Sequence, residues 1–335
     1  MQRFLRGRII AKLNAADLIL LKQGCVFLQP AKKHKSFMDL TTEKELSIPT
    51  TFSSKVADYA AFFKLRLASL VVFSAILGYL IAVDTIHWVD FIWLCIGGFL
   101  VTGSSNGYNQ IIEMELDRLM DRTKVRPLVT GRMSKNEALL VAGVAGAAGI
   151  LILWFLLNQL SGILALISLI LYVAVYTPLK QKTPWAVFVG AFPGAIPPML
   201  GWVAAKGHFG LEAGLLFALQ FMWQFPHFWA IAWKASEDYA KAGFYLLPSK
   251  GGKDFTSAFL ILLYSLFLLL VSVLPVLFGF TGNVALVFII LAGGMMIYPA
   301  IQLFKNKSDK AATKVMFASF IYVPVVLLAW YLDKI

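Results

Sequence analysis

Asn109, Glu113 and Asp117 stand four residues apart in NGYNQIIEMELDRLMDRTKVRPLVTG, residues 106–131. A helix with 3.6 residues per turn puts all three on one ridge and turns Glu115 elsewhere. Two carboxylates and an amide so spaced offer hard oxygen ligands, a set that suits Mg²⁺ shared with substrate phosphates. Arg122, Lys124 and Arg126 follow at once and carry donors for the remaining phosphate charge. The same spacing fits a helix end whose charges are solvated at a membrane surface. Ionisable groups at membrane depth favour the functional reading.

Further residues of the same chemistry lie elsewhere. Glu237 and Asp238 form a second acidic pair, either a second Mg²⁺ site or a solvated loop. YTPLKQKTPW, residues 176–185, is a short loop stiffened by Pro178 and Pro184. Its Lys180 can meet a phosphate as a point charge, whereas Lys182 reads as a topological charge. Lys64 and Arg66 sit just before the first apolar run. Such a pair either snorkels to the interface or turns inward, and Arg66 has the fork of donors to grip a diphosphate. His227 lies within an aromatic run, as a hydrogen-bonded packing residue or as a ligand. Trp223 and Trp229 beside it fit either a flat apolar pocket or an interfacial belt. Pro226 predicts a kink there. Aromatic faces also steady a carbocation.

The elements that must position these residues are membrane helices. The 335 residues are 59% hydrophobic and 14% charged, far from the roughly 25% charged residues of a soluble domain. Nine apolar runs are expected as spans, at about 67–83, 88–112, 137–157, 160–176, 185–204, 213–233, 256–277, 283–304 and 313–332, each near the ~20 residues a crossing needs. The fold class is therefore all-α and polytopic. The net charge of +12 would point to nucleic acid in a soluble protein. Here the loops after spans two, four, six and eight hold the lysines and arginines, and the opposite loops hold only Lys206. The positive-inside rule then puts the N-terminus and the acidic ridge at the cytoplasmic face and the C-terminus outside. Cys25 and Cys95 are the only cysteines, and Cys95 lies in a span, so no structural disulfide is expected. Residues 1–37 are basic, with Asp17 the single acid. They are expected to be an extension upstream of a start at Met38, with a transit peptide as the alternative. Residues 38–62 read as a cytoplasmic tail and amphipathic lead-in, and 63–335 as one membrane domain.

From about Phe63 to the C-terminus the chain resembles the UbiA superfamily of intramembrane prenyltransferases, and its heme-farnesylating branch in particular. Asn109-Gln-Ile-Ile-Glu113-Met-Glu-Leu-Asp117 occupies the first acidic motif, NxxxDxxxD, with Glu113 in place of the first Asp. Asp117-Arg-Leu-Met-Asp-Arg122-Thr-Lys-Val-Arg126-Pro127 continues the likeness. So do Tyr176-Thr-Pro-Leu-Lys180, Gly194-Ala-Ile-Pro-Pro198-Met-Leu-Gly-Trp202 and Trp223-Gln-Phe-Pro-His227-Phe-Trp229. Two departures stand out. Lys64-Leu65-Arg66 replaces Lys-Pro-Arg, and Lys234 leaves the second acidic motif with only Glu237 and Asp238.

The resemblance implies a UbiA-type bundle that binds farnesyl diphosphate and heme B. It implies Mg²⁺ on Asn109, Glu113 and Asp117, and diphosphate contacts from Arg66, Arg122, Arg126 and Lys180. It further implies heme near His227, Trp223 and Trp229, and a product, heme O, that a heme A synthase takes up. The expected location is a bacterial inner membrane, with the mitochondrial inner membrane as alternative. A quinone-precursor prenyltransferase and a transporter are the competing readings. Transporters bind at the midplane and often carry repeats, which this sequence lacks.

Overall fold

The computed structural model describes residues 52–335, and the expectations for residues 1–37 and for the tail to Thr51 fall outside the described residues. The described chain is helical, with one isolated bridge between Thr281 and Lys334. An amphipathic helix, α1 (Phe52–Phe62), leads into α2 (Leu65–Ala82) and α3 (Trp88–Ile112), and a single turn, α4 (Met114–Asp117), extends α3. α5 (Lys135–Ile152) and α6 (Gln159–Ile170) each end in a π-helical stretch, Leu153–Leu157 and Leu171–Tyr176. The second of these runs into one last turn, α7 (Thr177–Leu179). α8 (Ala186–Lys206), α9 (Leu211–Lys234) and the short α10 (Ser236–Lys241) follow. α11 (Phe255–Leu277), α12 (Asn283–Asn306) and α13 (Asp309–Leu332) complete the chain.

Eight helical stretches are long and apolar enough to cross a membrane, against the nine expected. The difference is α9, which is just as long but carries Gln220, Gln224, His227 and Lys234. It stays helical through Pro226. In lipid, backbone groups must be paired within the segment, so helices are the available solution for these runs.

Between such helices contact depends on close packing and on a few hydrogen bonds. α2 lies on α8 with backbones touching: a Cβ on Gly201 would sit 1.8 Å from the Ala75 carbonyl oxygen, and one on Gly78 1.9 Å from that of Pro198. α3 lies on α5 at Gly149, where a Cβ would meet the Gly97 carbonyl oxygen at 2.8 Å. The Ser104 hydroxyl donates across this crossing to the Ala142 carbonyl at 2.7 Å. α9 is central to the other half of the bundle, packing on α8, α11 and α13. Polar ties fasten α1 to the start of α5. Ser134 and Glu137 close a capping box there, Glu137 takes Lys55 at 3.2 Å and the Tyr59 hydroxyl at 2.7 Å, and Arg132 pairs with Asp58 at 2.8 Å.

Candidate active site

The ridge expected from the spacing forms where α3 gives way to α4. Glu113 lies between them at φ −94°, ψ 9°, yet the hydrogen-bond ladder runs on through it, from Glu113 N–H to the Asn109 carbonyl (3.0 Å) and from Asp117 N–H to the Glu113 carbonyl (2.8 Å). Asn109, Glu113 and Asp117 therefore stack on one face, and all three are buried. Glu115 faces solvent and pairs with Arg118. Each buried carboxylate has a cation against it: Lys180 meets Glu113, and Arg126 meets Asp117.

Lys180 arrives from α6 by a change of winding. Pro178 has no N–H to give, and ahead of it the helix widens into the π-helical stretch Leu171–Tyr176. The N–H and the hydroxyl of Thr177 both go to the Tyr172 carbonyl, the hydroxyl at 2.8 Å. Thr177 also accepts from the Asn109 amide at 3.3 Å, which sets the orientation of that side chain. The Lys180 ammonium then lies 4.9 Å from the Tyr176 ring centre and 5.5 Å from that of Phe244.

Lys64 is a site residue that sequence reasoning weighed but passed over for Arg66. It is the elbow between α1 and α2 and has left-handed backbone angles, φ 51° and ψ 58°. Asn106 and Gln110 hold this elbow, donating to the carbonyls of Phe63 (3.2 Å) and Phe62 (2.6 Å). Each such bond contributes about 1 kcal/mol, which is on the scale of the strain a non-glycine residue carries there. The elbow turns Lys64 inward, and its ammonium reaches Asn109 Oδ1 at 3.5 Å. Arg66 lies on the exposed side of α2, away from buried Ala68 and Val72, with no ion pair among the described residues. The signal in the sequence was Asn106 and Gln110 flanking Asn109, a pair of amides with no role in the acidic motif.

Three cations, Lys64, Lys180 and Arg126, thus surround two carboxylates and an amide. Burial drives the Lys64 pKa down to about 7, helped by Arg126 and Lys180 and opposed by Glu113 and Asp117. Burial also lowers Lys180, with Glu113 opposing it, and burial raises Asp117 against the pull of Arg126. Three cations against two carboxylates leave an excess of positive charge that suits a polyanion. Asp117 Oδ1 is buried without a hydrogen-bond partner, and Glu113 Oε1 meets Lys180 at ion-pair distance without hydrogen-bond geometry. Orphaned carboxylate oxygens beside an amide oxygen are the donor set a hard divalent cation takes, so these residues fit Mg²⁺.

The 118–131 segment that follows the ridge is tied to α10. Asp238 of α10 accepts the backbone N–H of Asp121 at 2.8 Å and of Arg122 at 3.4 Å, and Lys241 bridges Asp238 and Asp121. Arg122 lies over the Tyr239 ring and donates to its hydroxyl at 3.3 Å. Met120, Ala242 and Phe244 form a small core beneath. Asp238 is thus engaged with the 118–131 segment, while Glu237 is exposed. Among the described residues no three His, Cys, Asp or Glu side chains gather as a metal-binding group, so the second acidic pair does not join the first. Lys182 is exposed.

The three aromatic-run candidates divide between two faces of α9. Trp223 and His227 stack at 4.3 Å on the α13 side, where His227 Nδ1 lies 2.8 Å from the Ser319 hydroxyl and Trp223 donates to the Ser319 carbonyl at 2.7 Å. Trp229 faces α11 and packs on Tyr264 at 5.0 Å.

Residues 71–322 match the family model described as the UbiA prenyltransferase family. The chain is 50% identical over 287 residues to a protoheme IX farnesyltransferase of Christiangramia forsetii, covering 84% of this chain and 95% of that one. It is 48% identical to that of Flavobacterium johnsoniae, covering 86% and 97%. The fold is similar to that of a digeranylgeranylglyceryl phosphate synthase, with TM-score 0.71 at 23% identity over 83% of this chain and 98% of that one. It is also similar to a UbiA homolog from Archaeoglobus fulgidus bound to DMAPP and Mg²⁺, with TM-score 0.60 at 16% identity over 81% and 98%. On the family match and on identity to relatives over nearly their whole length, the chain belongs to the UbiA prenyltransferase family.

Proposed function

We propose that this protein transfers the farnesyl group of farnesyl diphosphate to the 2-vinyl group of protoheme IX, making heme O and diphosphate. The observation that carries the reading is the stack of Asn109, Glu113 and Asp117 under three cations, in a chain about half identical to relatives named for this reaction. The diphosphate lies at the ridge, where Lys64, Lys180, Arg126 and Arg122 share its charge. Asn109, Glu113 and Asp117 would hold Mg²⁺, which would supply Lewis-acid stabilisation of the leaving diphosphate. Lys180 and Arg126 stand beside the ridge with donors for phosphate oxygens. Their positive charge is in place before the reaction and is aimed where negative charge grows.

The C1–O bond of the farnesyl group breaks with its electron pair passing to diphosphate. The vinyl π electrons form the new bond to C1. Water adds to the cationic carbon left beside the porphyrin and loses a proton. Tyr172, Tyr176 and Phe244 line the approach with aromatic surface and keep bulk water from the allylic cation. His227 contacts the heme. The Ser319 hydroxyl lies within hydrogen-bond distance of both His227 Nδ1 (2.8 Å) and the Met316 carbonyl (2.6 Å), which fixes the plane of the ring. One metal ion serves the ridge, and Asp238 acts by holding the 118–131 segment over it. Arg66 takes no part in this reading.

Counting α9 as the ninth span, the positive-inside rule orients the ridge to the cytoplasm, and the membrane in this reading is a bacterial inner membrane. A heme A synthase takes the product onward. Membranes given farnesyl diphosphate, Mg²⁺ and equal amounts of heme B and 4-hydroxybenzoate test the acceptor. Farnesylated heme as the dominant product is expected, and preferential prenylation of the benzoate would move the protein to a quinone-forming branch.

A further inference from the structure

A second polar site stands at the other end of the bundle. There the ends of α2, α8, α9, α11 and α13 leave a cavity of about 280 Å³. α2 alone, with 18 residues, puts about 27 Å between this cavity and the carboxylate ridge. Asp84, Lys206, Glu212 and Lys334 line it. Asp84 and Lys334 pair at 2.9 Å. Lys206 and Glu212 are in no ion pair among the described residues, although the charge of Lys206 is felt at Asp84, so a cation and an anion outside ion pairs face the same space. Thr281 also lines the cavity; it is 4% exposed, and its hydroxyl has no hydrogen-bond partner. A buried hydroxyl left unpaired is costly, and a ligand oxygen would satisfy it. The floor is apolar, with Trp202, Leu216 and Trp330 buried beneath it.

The lining side chains carry two charges of each sign, so the cavity matches neither a plain anion nor a plain cation. It matches a group carrying both signs on an apolar stem. We propose that this cavity binds an aminophospholipid, seating a phosphoethanolamine headgroup. Lys206 and the Thr281 hydroxyl take the phosphate. Glu212 takes the ammonium, whose N–H donors a choline headgroup lacks. The acyl chains leave past Leu211 and Ile335, both exposed. This inference is independent of the farnesyl-transfer reading.

Full-length protein is purified in detergent, stripped of lipid and titrated with phosphatidylethanolamine, phosphatidylcholine or phosphatidylglycerol of matched chains. Native mass spectrometry reads adducts, and thermal unfolding reads stabilisation. The ethanolamine lipid alone is expected to persist as a single adduct and to raise the unfolding temperature. The double variant Lys206→Gln, Glu212→Gln should bind it about tenfold more weakly, a 1.4 kcal/mol change. The lipid-free unfolding temperature of that variant should equal that of lipid-free wild type, which shows it is folded. Equal binding of the three lipids, or undiminished binding by the variant, overturns the proposal. So does stabilisation by free O-phosphoethanolamine with none by the lipid, which would assign the cavity to a soluble ligand.

Discussion

Lys64 shows how one residue can be placed by its neighbours rather than by its own type. Two amides from α3 hold the elbow, and the elbow aims the ammonium at Asn109. Lys64→Met is expected to raise KM for the prenyl diphosphate about tenfold, the value of one charge-assisted contact near 1.4 kcal/mol, while Arg66→Met stays within about twofold. Initial-rate kinetics on the two variants check this, and the reverse order would restore Arg66 to the site. Glu113→Gln keeps the shape of the ridge and removes one ligand charge. The Mg²⁺ concentration for half-maximal rate should rise about tenfold or more, with unchanged amounts of protein in the membrane. Loss of the protein instead would make Glu113 a structural partner of Lys180. The ridge itself was legible because helical periodicity alone fixes which side chains share a face. Lys64 was not, because a left-handed elbow has no periodic signature.

At the scale of elements, the clasp between the 118–131 segment and α10 depends on one carboxylate taking two backbone N–H groups. Asp238→Asn removes the charge from those contacts and should loosen the segment by about 1–2 kcal/mol. Hydrogen exchange at residues 118–131 should quicken about tenfold, with KM raised more than kcat is lowered. Unchanged exchange with lost Mg²⁺ dependence would make Asp238 a metal ligand after all. The acids at 237 and 238 were visible in the sequence, but their partners were not. Backbone N–H groups more than a hundred residues away carry no sequence mark. The α2–α8 crossing is a second element-level feature. Gly201→Ala would drive a methyl carbon into the Ala75 carbonyl, and a cost of about 1–3 kcal/mol should appear as a lower unfolding temperature.

Across the described residues, the membrane-length helices were legible to within four residues at each end, since apolar runs of that length have few alternatives. α9 is the exception that carries information. It falls short in apolarity because it buries Gln224, whose amide donates to the Ala191 carbonyl at 2.8 Å, and His227, which meets Ser319. The split of its aromatics between α11 and α13 could not be read from sequence, because a central helix meets neighbours on several sides. The account as a whole rests on the ridge at the end of α3 as the place where the prenyl diphosphate is ionised. The most direct measurement compares heme O formed from heme B, farnesyl diphosphate and Mg²⁺ by membranes holding equal amounts of wild type and Asp117→Ala. The account predicts farnesylated heme from wild type and less than about 1% of it from the variant, a loss near 2.7 kcal/mol or more in transition-state stabilisation. A variant that keeps half the wild-type rate would contradict it.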